Sequence, residues 1–232
     1  MGSLDYMPYW HYNVSNDQRT VECPVFLREL SEKDRRIVGS LDSTHRPMPW
    51  EKVVTLVTSN NLGLLERTPS TLRRYLAFVH TLRSSYGSVG AFVVAERLRW
   101  PSPVVATGTR PFSCPDDVAI LRNDWPYSLD SRIVHLVVWT KFLLDEDPTT
   151  GFLTDEAHAQ VEEYVDATFA CHLPPNQILW FKNWSALKSV HSVEHFHVLL
   201  LNPDPGFVDQ VTNGDVALCD RQQPFHASLG RL

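Results

Sequence analysis

Two histidines set two residues apart, His195 and His197 in SVEHFHVLLL, are the residues of this 232-residue chain best placed to do chemistry. Apolar and polar residues alternate from Val193 to Val198, and the run is then apolar to Leu201, the pattern of a strand entering a core. Alternate side chains of a strand share a face, so both imidazoles project to one side and Glu194, Phe196 and Val198 to the other. A third histidine, His135, lies in IVHLVVW, a second strand pattern over Ile133–Trp139, and in a suitable register all three rings would share one sheet face. A plain structural role suits the same residues: hydrogen bonding at a sheet rim for the pair, a satisfied core position for His135. Their surroundings favour a site. Lys182, Asn183, Trp184, Lys188 and His191 precede the strand without helical or strand period, as in a loop at a strand end. Asn123, Asp124, Trp125, Pro126 and Tyr127 stand directly before the Ile133 strand and read as a pocket edge or as a turn held by Asp124.

Three chemistries fit these types. Imidazoles 195 and 197, with His135, His191 or a carboxylate, would suit zinc or a non-haem metal, although H-x-H lacks a fuller spacing signature and nearby lysines oppose a dication. The same face could act as acid and base in transfer at a carbonyl or phosphoryl group, with Lys182 or Lys188 holding an anion. Ser185, Ser189 and Ser192 lack a nucleophile-elbow pattern, and Cys114 and Cys171 are isolated thiols of the kind ordinarily buried. The third is a binding protein without catalysis, in which the Trp/Tyr/Asn cluster recognises a ligand.

The elements that must position these groups read as α+β: N-terminal helices followed by a small mixed sheet crossed by a helix, in a single domain. Residues 1–47 are expected to form an irregular arm with one short helix over Pro24–Val38. Residues 48–215 form the α+β catalytic domain, and 216–232 an irregular tail. A helix is predicted over Trp50–Asn60. The clearest follows Thr68-Pro69, with Leu72, Tyr75, Leu76, Val79, Leu82 and Tyr86 at spacings of three and four, and ends at Gly87. Another is predicted over Ser88–Arg99. The arginines of this region, Arg67, Arg73, Arg74, Arg83, Arg97 and Arg99, read first as solvated faces. Residues 101–132 are loop-rich, with a short helix over Pro115–Leu121. The strand Ile133–Lys141, the helix Thr154–Cys171, the strand Ile178–Lys182 and one helical turn at Phe207–Val211 complete the chain. Asp145 and Asp147 match only part of a calcium loop.

Composition narrows the classes. The hydrophobic set makes up 43% of residues and charged residues 21%, which argues against wholesale disorder. Formal charge is −6, so bulk electrostatics would not draw the chain onto nucleic acid and any such contact needs a local basic patch. Four cysteines without a close pair, and a start (MGSLDYMPYWHY) without a basic segment and apolar core, point to a reducing, cytoplasmic setting. No run approaches the length of a membrane span, and no obligate protein partner is evident.

The runs LRRYLAFVHTLRSSYGS (Leu72–Ser88), RNDWPY (Arg122–Tyr127), IVHLVVWTK (Ile133–Lys141), DEDPTTG (Asp145–Gly151) and LWFKNWSALKSVHSVEHFHVLL (Leu179–Leu200) together resemble the fungal N-acetylglucosamine-induced protein family. They also resemble its branch of arginine-containing cyclodipeptide synthases, over about residues 50–215. The synthase resemblance implies transfer from arginyl-tRNA and a second aminoacyl-tRNA, closing a diketopiperazine in secondary metabolism without ATP, metal or other cofactor. The parent family implies a sugar-induced protein with a binding role. The branch carries an acidic Asp-Asp-x-x-Glu motif; here Asp116-Asp117 begins DDVAI, with Ile120 in the glutamate position. On this resemblance His195 or His197 is the base that accepts the amine proton, with Glu194 and Asp124 beside them as catalytic candidates. Selection of arginine wants a carboxylate pair drawn from Asp116, Asp117, Asp124 and Glu194, the last having the wrong parity on an ideal strand. Asn123, Trp125, Tyr127, His135, Lys182, Asn183, Trp184 and Lys188 complete the substrate site, and Arg73, Arg74, Arg83, Arg97 and Arg99 would receive the tRNA.

Overall fold

A computed structural model describes residues 7–184, 190 and 192–221. It is α+β, and its centre is a four-stranded sheet of order β1-β2-β4-β3, with β1 at Val118–Arg122, β2 at Ile133–Thr140, β3 at Ile178–Phe181 and β4 at Glu194–Leu201. All three strand pairings are antiparallel, and an isolated parallel bridge joins Met48 to Leu129. Alternation along the central strands divides the core in two. Leu136 and Val138 of β2 and Phe196, Val198 and Leu200 of β4 face one layer, where they meet Val161, Val165 and Phe169 of α5 (Asp155–Phe169) and Phe207 and Val208 of α6 (Pro205–Val211). Val137, Trp139 and Leu199 face the other layer, which α2 (Trp50–Thr58), α3 (Pro69–Tyr86) and α4 (Val89–Phe92) cover. His135, His195 and His197 have the parity of this second face.

Local chemistry explains the helix ends. The Thr68 hydroxyl accepts the Thr71 N–H at 3.2 Å, Pro69 occupies the first turn, and Gly87 closes α3 with φ 76°, a conformation that disfavours side chains with a Cβ. Thr154 caps α5 in the same way through the Ala157 N–H.

Four expectations are corrected. The helix expected over Pro24–Val38 is a single 3-10 turn at Val25–Leu27 and then α1 (Glu32–Val38), because Ser31 accepts the Asp34 N–H and starts a new helix there. The arm is also not irregular where it packs: Leu27, Ile37 and Val38 form a small core with Leu72 of α3. Pro115–Leu121 is not a helix. Only Pro115–Asp117 makes a 3-10 turn, and Val118–Arg122 pairs with β2, so the sheet begins before Ile133; edge pairing to β2 outweighs the local helix signal. The helix expected over Ser88–Arg99 is α-helical only to Phe92, and Val93–Leu98 winds as a π-helix ending at left-handed Arg99. The i→i+5 winding sets Leu98 on the side of Val93, so both are buried, whereas residues five apart lie far round an α-helix.

Candidate functional site

The two central strands bring the histidines together. In their register His197 opposes Val137, His135 opposes Leu199, and Trp139 opposes His195, which places the rings on one sheet face. His135 Nε2 and His197 Nδ1 lie 3.0 Å apart. Asn123 and Asn183 extend this contact into a chain. Asn123 Oδ1 accepts the Trp125 backbone N–H at 2.9 Å, so its amide nitrogen is the group that faces the His135 ring, 3.0 Å from Nε2 and 3.5 Å from Nδ1. Between His135 Nε2 and His197 Nδ1 one nitrogen carries the proton and the other accepts it. His197 Nε2 lies 3.2 Å from the Asn183 amide nitrogen.

The rings are closely packed: Tyr127 stacks on His135 with centroids 5.3 Å apart, Phe181 on His197 at 4.9 Å, and Trp139 lies 4.5 Å from His195. His135, His195 and His197 are 6%, 5% and 7% exposed. Burial, then the Arg67 charge, pushes the His135 imidazole down to about 3. Burial, then His135, His195 and Arg67, holds His197 well below the usual histidine range. Both are neutral near pH 7, in agreement with the donor–acceptor chain. His195 Nδ1 donates to Val193 O at 3.0 Å.

A cavity of about 130 Å³ lies between this face and the helices. Phe78, Val79, Phe92, Val93, Leu121, Val137 and Trp139 supply apolar walls, while Arg67, Tyr75, Asn123, Asp124, Trp125, Tyr127, Asn183, His195 and His197 bring polar groups. The Arg67 guanidinium lies over the rings of Tyr75 at 4.3 Å and Tyr127 at 5.4 Å, and its Nε donates to Trp125 O at 2.8 Å. Two of these lining residues carry a buried polar atom with no hydrogen-bond partner among the described residues, Trp125 Nε1 and Asn183 Oδ1. A native protein seldom leaves such atoms unpaired, because each costs about 1–3 kcal/mol.

The carboxylates are committed elsewhere. Asp124 receives Arg97 Nε at 2.9 Å and the Leu218 N–H at 2.9 Å, while Arg97 grips Asp215 with both terminal nitrogens at 2.9 and 2.8 Å. Burial raises the Asp124 carboxyl, and Arg97 only partly offsets it. Burial opposes the Arg97 charge too, but Asp215 and Asp124 hold the guanidinium above its ordinary value. Asp117 is buried under the Thr107–Gly108 turn, whose N–H groups it accepts at 2.7–2.9 Å, with Lys141 3.7 Å away. Burial works to raise this carboxyl, but those bonds and Lys141 hold it below its usual range. Asp116 is exposed, on the loop before β1. Glu194 pairs with Lys182 at 3.3 Å, and Lys182 also binds Glu146. Glu194 and Lys182 are not in the cavity wall; Lys182 and Trp184 line an open groove beside β3 with Phe152, His158 and Trp180. Lys188, with Ser185, Ser189 and His191, lies outside the described residues.

The five arginines have different partners. Arg73 donates to Trp10 O and Arg74 to Cys219 O, Arg97 is locked between two carboxylates, and Arg83 and Arg99 are exposed. Among the described residues no group of three or more His, Cys, Asp or Glu is placed to hold a metal ion, and no helix is long and apolar enough to cross a membrane. Sequence reasoning missed Arg67 as a cavity residue and Asp215 as the partner of Arg97. Neither had a periodic signal, since one precedes a helix cap and the other stands in the aperiodic end of the domain, after Val211.

A family model described as "Protein of unknown function (DUF3605)" matches residues 49–201. "N-acetylglucosamine-induced protein 1" of Candida albicans is 26% identical over 225 residues, covering 89% of this chain and 83% of the relative. An uncharacterized protein of Saccharomyces cerevisiae is 26% identical over 159 residues, covering 66% of this chain and 79% of its own. Among solved structures, the crystal structure of HTC1 superposes with a TM-score of 0.62 at 24% identity, covering 72% of this chain and 96% of that one, a likeness of fold.

Proposed function

The chain belongs to the DUF3605 family, and on that premise we propose that it is a small-molecule-binding protein whose ligand occupies the cavity between the histidine-bearing sheet face and α3–α4. One observation carries this reading: two residues that line a largely apolar cavity hold a buried indole N–H and a buried amide oxygen with no partner among the described residues. A ligand with a complementary acceptor and donor would satisfy both. The neutral His135 suits recognition better than proton transfer, because burial and the Arg67 charge hold its imidazole down to about 3 and so make it a weak base. A fragment screen on the native chain tests this, read by ¹⁵N NMR of the imidazoles and indoles. Ligands that shift His135, His197 and Trp125 together support it; binders that leave all three unmoved refute it.

The arginine-containing cyclodipeptide synthase is kept as a second reading, supported by the fact that four of the resembling runs, Leu72–Ser88, Arg122–Tyr127, Ile133–Lys141 and Leu179–Leu200, each contribute described residues to this one cavity. It asks for a carboxylate pair to receive arginine, and Asp117, Asp124 and Glu194 are already engaged. Expression in a bacterial host supplies charged tRNAs, and mass spectrometry of the medium decides: an arginine-containing diketopiperazine absent from the empty-vector control would establish this reading over the binding one.

A further inference from the structure

Deepening the binding reading above, and resting on it, we infer that the cavity takes a small carboxylic acid, its carboxylate received by Arg67. Three arginines line the cavity. Arg97 is held by Asp124 and Asp215, and Arg122 by Asp209 at 3.0 Å with its Nε on Asp215 O. Arg67 differs: among the described residues no carboxylate lies within 4.0 Å of it.

Its guanidinium is nonetheless fixed. The rings of Tyr75 and Tyr127 flank it, and the bond from Nε to Trp125 O sets its direction. The two terminal nitrogens remain as a preorganised fork, the geometry that takes a planar carboxylate through two parallel bonds. Trp125 Nε1 is a second donor on the same wall. Trp125 is only 9% exposed, and no described residue accepts from this atom. Asn183, 6% exposed, sets its amide nitrogen 3.2 Å from His197 Nε2, with Oδ1 turned away from that ring. Oδ1 therefore asks the ligand for a hydroxyl or N–H.

Size and wall character complete the description. A cavity of about 130 Å³ compares with one of about 150 Å³ that accommodates benzene in another protein. The ligand body is thus about one ring or a short branched chain, lying against Phe78, Phe92 and Val137, with its acid group at Arg67.

The test uses benzoate, 4-hydroxybenzoate and the neutral isostere benzamide against the native full chain, by calorimetry and by the Trp125 indole N–H signal. Benzoate is expected to bind at least about tenfold more tightly than benzamide, and 4-hydroxybenzoate at least as tightly as benzoate, each shifting the Trp125 signal. In Arg67→Gln the acid and the amide should bind alike. Because that substitution also removes the bond to Trp125 O and can cost folding, the acid–amide comparison on the native chain is sufficient alone. Benzamide binding as tightly as benzoate would overturn the carboxylate assignment and leave the binding reading standing. Failure of all three to move the Trp125 signal at millimolar concentration would overturn both.

Discussion

Lowering the pH from neutrality should weaken the fold through His135 and His197. In the unfolded chain an imidazole protonates with the ordinary pKa of 6.5, whereas in the folded protein burial and Arg67 push His135 down to about 3. Between those values the unfolded state binds a proton that the folded state refuses, so stability is full above pH 6.5 and is lost as pH falls. For His135, RT ln(1 + 10^(6.5 − 5)) amounts to about 2 kcal/mol at about pH 5, against almost nothing at about pH 7.5. His197 is shifted in the same direction, by burial and then by His135, His195 and Arg67, and steepens the slope. Urea unfolding at intervals from about pH 7.5 to about pH 5 measures this, with linear extrapolation at each pH. His135→Gln, which has nothing to titrate there, should flatten the curve by its share even if its stability at pH 7.5 is lower. A native-chain stability that stays level over the interval, or an unchanged slope in His135→Gln, would refute the neutral, buried pair.

Three further outcomes follow from the same geometry. Trp125→Phe deletes an unpaired buried N–H, so the unliganded protein should be as stable as the native chain or more stable by about 1 kcal/mol in urea, while binding of acids in the cavity weakens. Gly90→Ala would set a Cβ 1.8 Å from Ser192 Oγ and 3.2 Å from its Cβ, so it should destabilise by about 1–3 kcal/mol; Ser192→Ala should recover part of that, a non-additivity readable in a double-mutant cycle. Arg97→Met leaves Asp124 and Asp215 buried without their cation and should cost about 3–5 kcal/mol by thermal or urea unfolding.

Period-two alternation was enough to read β4 and to put His195 and His197 on a common face, and the capped, periodic α3 was legible from Thr68-Pro69 to Gly87. The meeting of His135 with His197 was not, because register between strands some sixty residues apart is set by tertiary packing. β1 was hidden for a similar reason: Val118–Arg122 is a short edge whose local signal is weak and whose partner, β2, lies beyond a long loop. The π-wound Val93–Leu98 has the same residue types as an ordinary helix, and only burial of Val93 and Leu98 together distinguishes it. Of the site itself, the Asn123–Tyr127 turn and Asn183 were visible as a polar and aromatic cluster, but the roles of the charges were not. A formal charge does not say which carboxylate an arginine will meet, and Arg67 is conspicuous only once Arg97 and Arg122 are seen to be neutralised.

β4 is read twice by the molecule. Its odd positions, His195, His197 and Leu199, face α2–α4, and its even positions, Phe196, Val198 and Leu200, bind the sheet to α5 and α6. A slip of a single residue would exchange imidazoles for a phenyl and a valine in both layers at once, so recognition and cohesion are spelled in one eight-letter word. Diversification toward new ligands is therefore free to proceed where each residue has one reader, at Arg67, Phe78, Phe92 and Trp125, while the strand keeps its spelling.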